Sequence, residues 1–201
     1  MKSLLKTITV LACAFCMTIG QSNAQAFKEG QNALQLGIGF PNLLAVSTSA
    51  YSGLSNFSSS TTPPIHLGFE RAVTDNISAG LYLGYTAQKF SYAEPSFFGS
   101  TSYNWTESNS WIIVGARGNY HFATGEKLDP YVGVILGYNI VSSKVTSDDP
   151  LMSSMTVSGA TSQMLFGGQI GMNYYFSDSF GAHVEVGYGV ALVNLGITLK
   201  M

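Results

Sequence analysis

The feature that most constrains this chain is an alternation, residue by residue, of apolar side chains with glycines and polar groups. It runs from Leu34 almost to the C-terminus. In Gln169-Ile170-Gly171-Met172-Asn173-Tyr174-Tyr175-Phe176, one parity carries Ile170, Met172, Tyr174 and Phe176, and the other carries Gln169, Gly171, Asn173 and Tyr175. Strand side chains point alternately to opposite faces, so this period of two reads as a strand with one oily and one polar face. A soluble barrel hides its oily face inside. Here the opposite face is mostly glycine with a few charges, which cannot fill a dry core. The oily face therefore reads as outward, toward lipid, and the fold as a small all-β, antiparallel up-and-down transmembrane β-barrel.

Residues 1–26 read as a cleaved signal peptide. Lys2 and Lys6 form a positive n-region, Ile8 to Ile19 is an apolar run, and Ala24-Gln25-Ala26 supplies small residues before a cleavage point at Phe27. The apolar run is shorter than the roughly 20 residues that span a bilayer as a helix. Its removal takes away Cys13 and Cys16, the only cysteines, so residues 27–201 form one domain without disulfides or thiolate metal sites. Without Lys2 and Lys6, seven of the 9 basic side chains face 11 acidic ones, a formal charge of −4. That balance excludes an electrostatic footprint for nucleic acid. Charged residues make up 10% of the chain, against about 25% in soluble domains. The deficit fits a surface that lies largely in hydrocarbon.

Eight alternating blocks follow, at about 32–40, 64–72, 77–90, 110–122, 130–142, 162–176, 180–189 and 193–200. The links 73–76, 123–129 and 177–179 are short, whereas 41–63, 91–109 and 143–161 are long and rich in Ser and Thr. Outer-membrane barrels have short periplasmic turns and longer extracellular loops, so both ends are expected in the periplasm. The long segments are expected to form a solvated surface and, as loops on a rigid scaffold, to be the place where an unknown ligand binds. The second carries Tyr92, Phe97, Phe98, Tyr103 and Trp105, aromatics suited to a partner, to one another or to lipopolysaccharide.

Outward parity places Phe69, Tyr120, Phe122, Tyr174, Phe176 and Phe180 near the short turns. Rings at strand ends match an interfacial aromatic girdle at headgroup depth. Inward parity carries glycines interspersed with His66, Glu70, Tyr82, Arg117, Asn119, His121, Gln169, Asn173, Tyr175, His183, Glu185 and Lys200, while Ile135 and Leu165 break the polar pattern. Charges inside a closed barrel must pair or meet water. Arg117 is expected between Glu70 and Glu185, with His183 and Lys200 nearby, either as a salt-bridged plug or as a gate that opens a small conductance.

The motifs resemble a known family. Tyr175-Phe176-Ser177-Asp178-Ser179-Phe180-Gly181 followed by Glu185-Val186-Gly187-Tyr188 is similar to the last hairpin of the small outer-membrane β-barrels. Glu70 to Ser78 resembles their strand-turn-strand unit, and Pro130-Tyr131-Val132-Gly133 to Gly137-Tyr138 their middle strand. The resemblance covers the chain after residue 26 and groups it with OmpA-, OmpX- and OmpW-like barrels. It implies insertion into the Gram-negative outer membrane by the barrel-assembly machinery and contact with membrane lipid and lipopolysaccharide. It implies no cofactor, and roles in envelope integrity, adhesion or small-solute passage. That family usually ends on an aromatic residue; here Leu195, Ile197 and Leu199 alternate correctly but the final residue is Met201.

Some eight-stranded barrels modify lipid A, so catalysis was weighed. A nucleophile needs an adjacent base that a third group orients. His183-Val184-Glu185 places histidine and acid on one inward face without a serine at that spacing, and His66 is expected near the outer rim beside loop hydroxyls. Neither makes a catalytic set, and Asp148-Asp149 reads as a solvated pair rather than a metal site. The chain is therefore expected to be a non-enzymatic structural or surface-interaction barrel with a plugged lumen. The alternatives are a narrow channel for small or apolar solutes and a soluble lipocalin-like barrel.

Overall fold

The computed structural model describes residues 26–95, 101–122, 125–150, 157–159 and 162–201, with the backbone alone at 157–159. Its strands are β1 (Asn32–Asn42), β2 (Ser55–Ala72), β3 (Ile77–Pro95), β4 (Ser102–His121), β5 (Leu128–Ser147), β6 (Val157–Gly159), β7 (Gln163–Tyr175), β8 (Phe180–Gly187) and β9 (Ala191–Lys200). Neighbours pair antiparallel from β1 through β5, then β5 with β7, β7 with β8 and β8 with β9. The ladder from Ala33↔Lys200 to Asn42↔Ala191 joins β9 back to β1 and closes the cylinder. Eight long strands make the wall, and β6 pairs only with the upper part of β5 among the described residues. Along the apolar band closure pairs each wall strand on both sides, so no open edge faces an environment that would not tolerate one.

The alternation decides which way each strand faces. On β5, Tyr131, Gly133, Ile135, Gly137 and Asn139 are buried in the bore, while Val132, Val134, Leu136, Tyr138 and Ile140 are exposed on the rind. On β4 the exposed set is Ile112, Val114 and Tyr120, and the buried set includes Ile113, Arg117, Asn119 and His121. The protein is inside-out relative to a soluble barrel: aliphatic outside, polar within. From Ile112 to Phe122 the apolar rind of β4 runs about ten residue steps, or about 34 Å, and a strand tilt of about 40° reduces that to about 26 Å of depth. An outer-membrane barrel presents an apolar band of about 25 Å.

The strand ends at the short turns match the sequence alternation, but the opposite ends do not. Residues 55–63, 91–95, 102–109 and 143–147, expected in long loops, continue β2, β3, β4 and β5. The β3–β4 ladder extends to Pro95↔Ser102 and the β4–β5 ladder to Trp105↔Ser147. Above the apolar band the outward face turns polar while residues such as Phe90 and Tyr92 point inward, so the oily-outward alternation of the lower wall is lost while backbone pairing carries on. Ser and Thr tracts are compatible with a strand once a neighbouring strand is present. Of the expected second-loop aromatics, Phe97 and Phe98 lie outside the described residues, as do Ser153 and Ser154 of the third loop and residues 1–25. Tyr92 is not exposed: it is buried in β3 beside Tyr51 and Phe90, with ring centroids 4.8 Å and 6.3 Å away.

Residues 43–54 fold over the long-loop mouth. Asn42 Oδ1 accepts from Leu44 N and Ala45 N, and the Gln88 side chain holds both the N–H and the carbonyl of Val46. At the other mouth, Phe27 is buried with Ala33 and Ala72. The tight turn after β2 is closed by Val73 N donating to Ile77 O at 2.8 Å, with Thr74 Oγ1 accepting from Ile77 N.

Candidate functional site

Among the described residues the bore gathers a network of titratable groups, and it divides into two layers. Toward the short turns lies an ionic and amide network. Arg117, brought inward by β4 parity, donates from Nη2 to Glu185 Oε2 of β8 at 2.7 Å and stands 3.5 Å from Glu70 Oε1 of β2. The guanidinium lies over the Tyr131 ring at 5.3 Å, and Tyr131 Oη donates to the same Glu185 oxygen at 2.9 Å. The Nε and Nη1 atoms of Arg117 have no protein acceptor, so its hold on the two carboxylates runs through Nη2. All three charged side chains are withdrawn from solvent.

The network spreads from Glu70. Its Oε2 accepts from Ser78 Oγ at 2.5 Å and from Asn119 Nδ2 at 2.7 Å, and Gln169 Nε2 donates to Asn119 Oδ1 at 2.8 Å. Asp129 accepts from Asn173 Nδ2 at 2.8 Å, and Gln35 Nε2 donates to Asn173 Oδ1 at 3.0 Å. Three inward carboxylates, Glu70, Asp129 and Glu185, thus share the bore with Arg117, His121 and Lys200. Groups contributed by β1, β2, β3, β4, β5, β7 and β8 are tied across the lumen. These bonds brace the thin-walled cylinder from within, although Gln35 Oε1, Gln169 Oε1 and two Arg117 nitrogens have no protein partner among the described residues.

His183 and Lys200 are not part of the arginine cluster, contrary to expectation. Lys200 Nζ donates to Ala26 O at 2.7 Å and lies 4.5 Å from the Tyr175 ring centroid, because β9 ends at the short-turn mouth. His183 faces His66 across the bore, Nε2 to Nε2 at 3.1 Å, with its Nδ1 placed 3.2 Å from Ile197 O. His66 is correspondingly buried, its ring stacked 6.0 Å from Tyr82, rather than sitting at the outer rim. It follows Pro63 and Pro64, where the β2–β3 register shifts, and strand pairing resumes at Ile65. That irregularity was not visible as a change in depth from the sequence.

One constellation was missed in the sequence. Ser78 Oγ lies 2.9 Å from His121 Nε2, and His121 Nδ1 lies 2.7 Å from Asp129 Oδ1. Hydroxyl, imidazole and carboxylate in that order are the parts of a hydrolytic triad. Here the serine proton goes to Glu70, at 2.5 Å, and not to the ring. With the hydroxyl proton directed at Glu70, Nε2 meets only a lone pair of Ser78 Oγ and is not placed to take a proton from it. All three residues are buried, and Phe27 covers the imidazole with ring centroids 5.0 Å apart. The set serves as bracing, and the signal for it was inward parity at strand ends flanking short turns. Among the described residues no group of three His, Cys, Asp or Glu gathers as a metal site.

Toward the long loops the bore carries an apolar cluster. Tyr82, Ile113, Ile135, Leu165, Val190 and Ala191 pack into one cluster, and Leu44 of the first loop lies against it. The two apolar breaks in the inward pattern, Ile135 and Leu165, belong to this layer. On the rind, Phe69, Tyr120, Phe122, Tyr174, Phe176 and Phe180 are 37% to 59% exposed. Tyr120 meets Phe122 edge-on at 5.2 Å, and Phe176 lies between Tyr174 and Phe180 at 5.4 and 6.1 Å.

No protein-family model matches the sequence, and no curated protein matches it. Among solved structures, the chain is similar to the outer membrane protein OprG from Pseudomonas aeruginosa, with 11% identity and a TM-score of 0.52 over 89% of this chain and 99% of that one. The N-terminal β-barrel domain of Pseudomonas aeruginosa OprF aligns at 18% identity and a TM-score of 0.45, covering 86% of this chain and 100% of that one. Neisserial surface protein A aligns at 13% identity and a TM-score of 0.35, covering 90% and 99%. The likeness to OprG is one of fold: a closed, antiparallel, eight-stranded barrel.

Proposed function

We propose that this chain is an integral barrel of the bacterial outer membrane, a non-conducting scaffold with a structural or surface-interaction role and no catalytic activity. Membrane residence is supported by the aliphatic rind, whose depth matches a hydrocarbon layer, and by the fold shared with an outer membrane protein. The periplasmic side is assigned to the short turns and the extracellular side to the extended hairpins. On this reading Phe69, Tyr120, Phe122, Tyr174, Phe176 and Phe180 sit at the inner headgroup boundary, where aromatic rings with one wet and one oily side are stable.

The observation that carries the non-conducting role is the double closure of the bore. Arg117 is clamped between Glu70 and Glu185 on one side, and the apolar Tyr82–Ile113–Leu165 cluster lies on the other. Eight strands enclose a lumen that side chains can fill, and here they fill it with two unlike materials. A solute or ion would have to break the ionic layer and then wet the apolar one.

Liposome swelling tests this directly. Proteoliposomes carrying the refolded barrel are diluted into isotonic small sugars, with an open porin as the positive control. Swelling no faster than protein-free vesicles is expected. Rapid uptake would make the chain a channel and overturn the scaffold.

A further inference from the structure

The rind changes character at one level of the wall, and the rows there are built for a particular headgroup. Strand register places Ser60, Lys89, Ser108 and Lys144 side by side on β2, β3, β4 and β5, all with outward parity. The next row toward the short turns is Thr62, Ala87, Ser110 and Ser142, and below it comes the exposed apolar row of Ile65, Tyr85, Ile112 and Ile140. The two polar rows line a shallow depression of about 370 Å³. Lys89 and Lys144 are exposed, and among the described residues neither has a carboxylate within salt-bridging distance. Two strand spacings separate them, about 10 Å, with the Ser108 hydroxyl between.

A soluble surface would intersperse acids among such lysines. Here hydroxyls surround them, and the hydrocarbon-facing wall begins two rows below. We infer that this patch binds the phosphorylated sugar headgroup of an outer-leaflet glycolipid. Lys89 and Lys144 converge on one phosphate above Ser108, the serine and threonine hydroxyls meet sugar oxygens, and the acyl chains lie along Ile65, Tyr85, Ile112 and Ile140. The inference rests on the membrane reading of the wall and adds a ligand class and an address to it. Lysine serves phosphate as a mobile point charge, and two of them share one anion readily.

The test uses the full barrel refolded in non-ionic detergent. It is titrated with bisphosphorylated lipid A, with the same glycolipid after dephosphorylation, and with phosphatidylglycerol. The parent is expected to bind lipid A roughly tenfold more tightly than either comparison lipid, a difference of about 1.4 kcal/mol. The variant Lys89→Gln/Lys144→Gln loses that preference, Lys89→Arg/Lys144→Arg keeps it, and Lys28→Gln/Lys127→Gln, with the same charge change at the opposite rim, leaves it intact. Equal binding by the parent and Lys89→Gln/Lys144→Gln would overturn the site. So would an equal loss in both glutamine variants, or phosphatidylglycerol binding as tightly as lipid A. Flotation of the parent with phosphatidylcholine vesicles is scored separately, so failure to insert counts against the membrane reading and not against the headgroup site.

Discussion

Arg117 Nη2 and Glu185 Oε2 stand 2.7 Å apart inside the barrel, and neither side chain reaches solvent. Glu70 approaches the same nitrogen from the opposite wall at 3.5 Å. One cation therefore faces two carboxylates that β2 and β8 force inward, and among the described residues its removal leaves Glu185 without a cation and Glu70 with His121 alone, 3.6 Å away. Breaking a buried ion pair by deleting one partner costs about 3–5 kcal/mol, whereas replacing the whole set by neutral groups of similar size is close to neutral. Arg117→Ala is expected to lower the unfolding free energy of the refolded barrel, read from urea titration, by that much, and Glu70→Gln/Arg117→Met/Glu185→Gln to recover most of the loss.

The same substitution separates a plug from a gate. Loss of Arg117 leaves the apolar layer of Ile113, Ile135, Leu165 and Val190 in place. Planar-bilayer recordings of Arg117→Ala and the parent are expected to be indistinguishable. New conductance steps in the variant would assign the arginine a gating role.

Two glycines three residues apart on β7 should respond oppositely to a methyl group. A Cβ on Gly171 runs into the Tyr131 ring and hydroxyl, whereas one on Gly168 meets nothing within 4 Å. Gly171→Ala pushes Tyr131 away from Glu185, and overpacking of this kind costs about 1–3 kcal/mol. Gly168→Ala, on the rind, is expected to stay within about 0.5 kcal/mol of the parent. Unfolding midpoints of the two variants in the same detergent check the contrast.

On the outer wall, Leu136 is exposed in the middle of the apolar part of β5. Leu136→Arg is expected to destabilise the vesicle-inserted barrel by about 2–4 kcal/mol, the cost of a cation near the bilayer midplane. In a soluble protein an arginine at so exposed a site would be harmless. Reversible unfolding from phosphatidylcholine vesicles gives the number.

Outside the membrane the extended β4–β5 hairpin has a pH-sensitive clasp. The Asn104 side-chain amide, and then its backbone N–H, donate to Asp148 and hold its carboxyl below the ordinary carboxylate range. A lowered folded value means that the clasp is at full strength above the ordinary carboxylate value and is lost as the pH falls through the lowered one. Protection of the Asn104 amide against exchange, relative to its intrinsic rate at each pH, should therefore fall only in strong acid. Asp148→Asn should remove that dependence without unfolding the barrel.

How far the sequence could be read depended on where two faces differ. Along 131–140 every residue is either buried in the bore or exposed on the rind, so parity gives direction and strand together. At Ser58-Ser59-Ser60-Thr61-Thr62 both faces are polar, and the strand identity of β2 there rests on pairing with Lys89 and Phe90 thirty residues on, which no local pattern reveals. The position of Arg117 between Glu70 and Glu185 followed from parity plus the cost of a buried charge. The His66–His183 contact did not, because it depends on the register of β9 and on the shift at Pro63 and Pro64. Ser78, His121 and Asp129 escaped for a similar reason: they converge across two turns, and neither turn announces which inward groups it brings together.

The central physical statement is that aliphatic side chains meet hydrocarbon while the polar parity fills the bore, and spin labels can read that parity one residue at a time. Residues 27–201 contain no cysteine, so single cysteines can be placed from Val132 to Leu136 on β5 and labelled with a nitroxide in the vesicle-inserted barrel. Collision with oxygen, which concentrates in lipid, is expected to be high at 132, 134 and 136 and low at 133 and 135. The opposite phase, or uniform exposure to a water-soluble relaxant along the segment, would contradict the account.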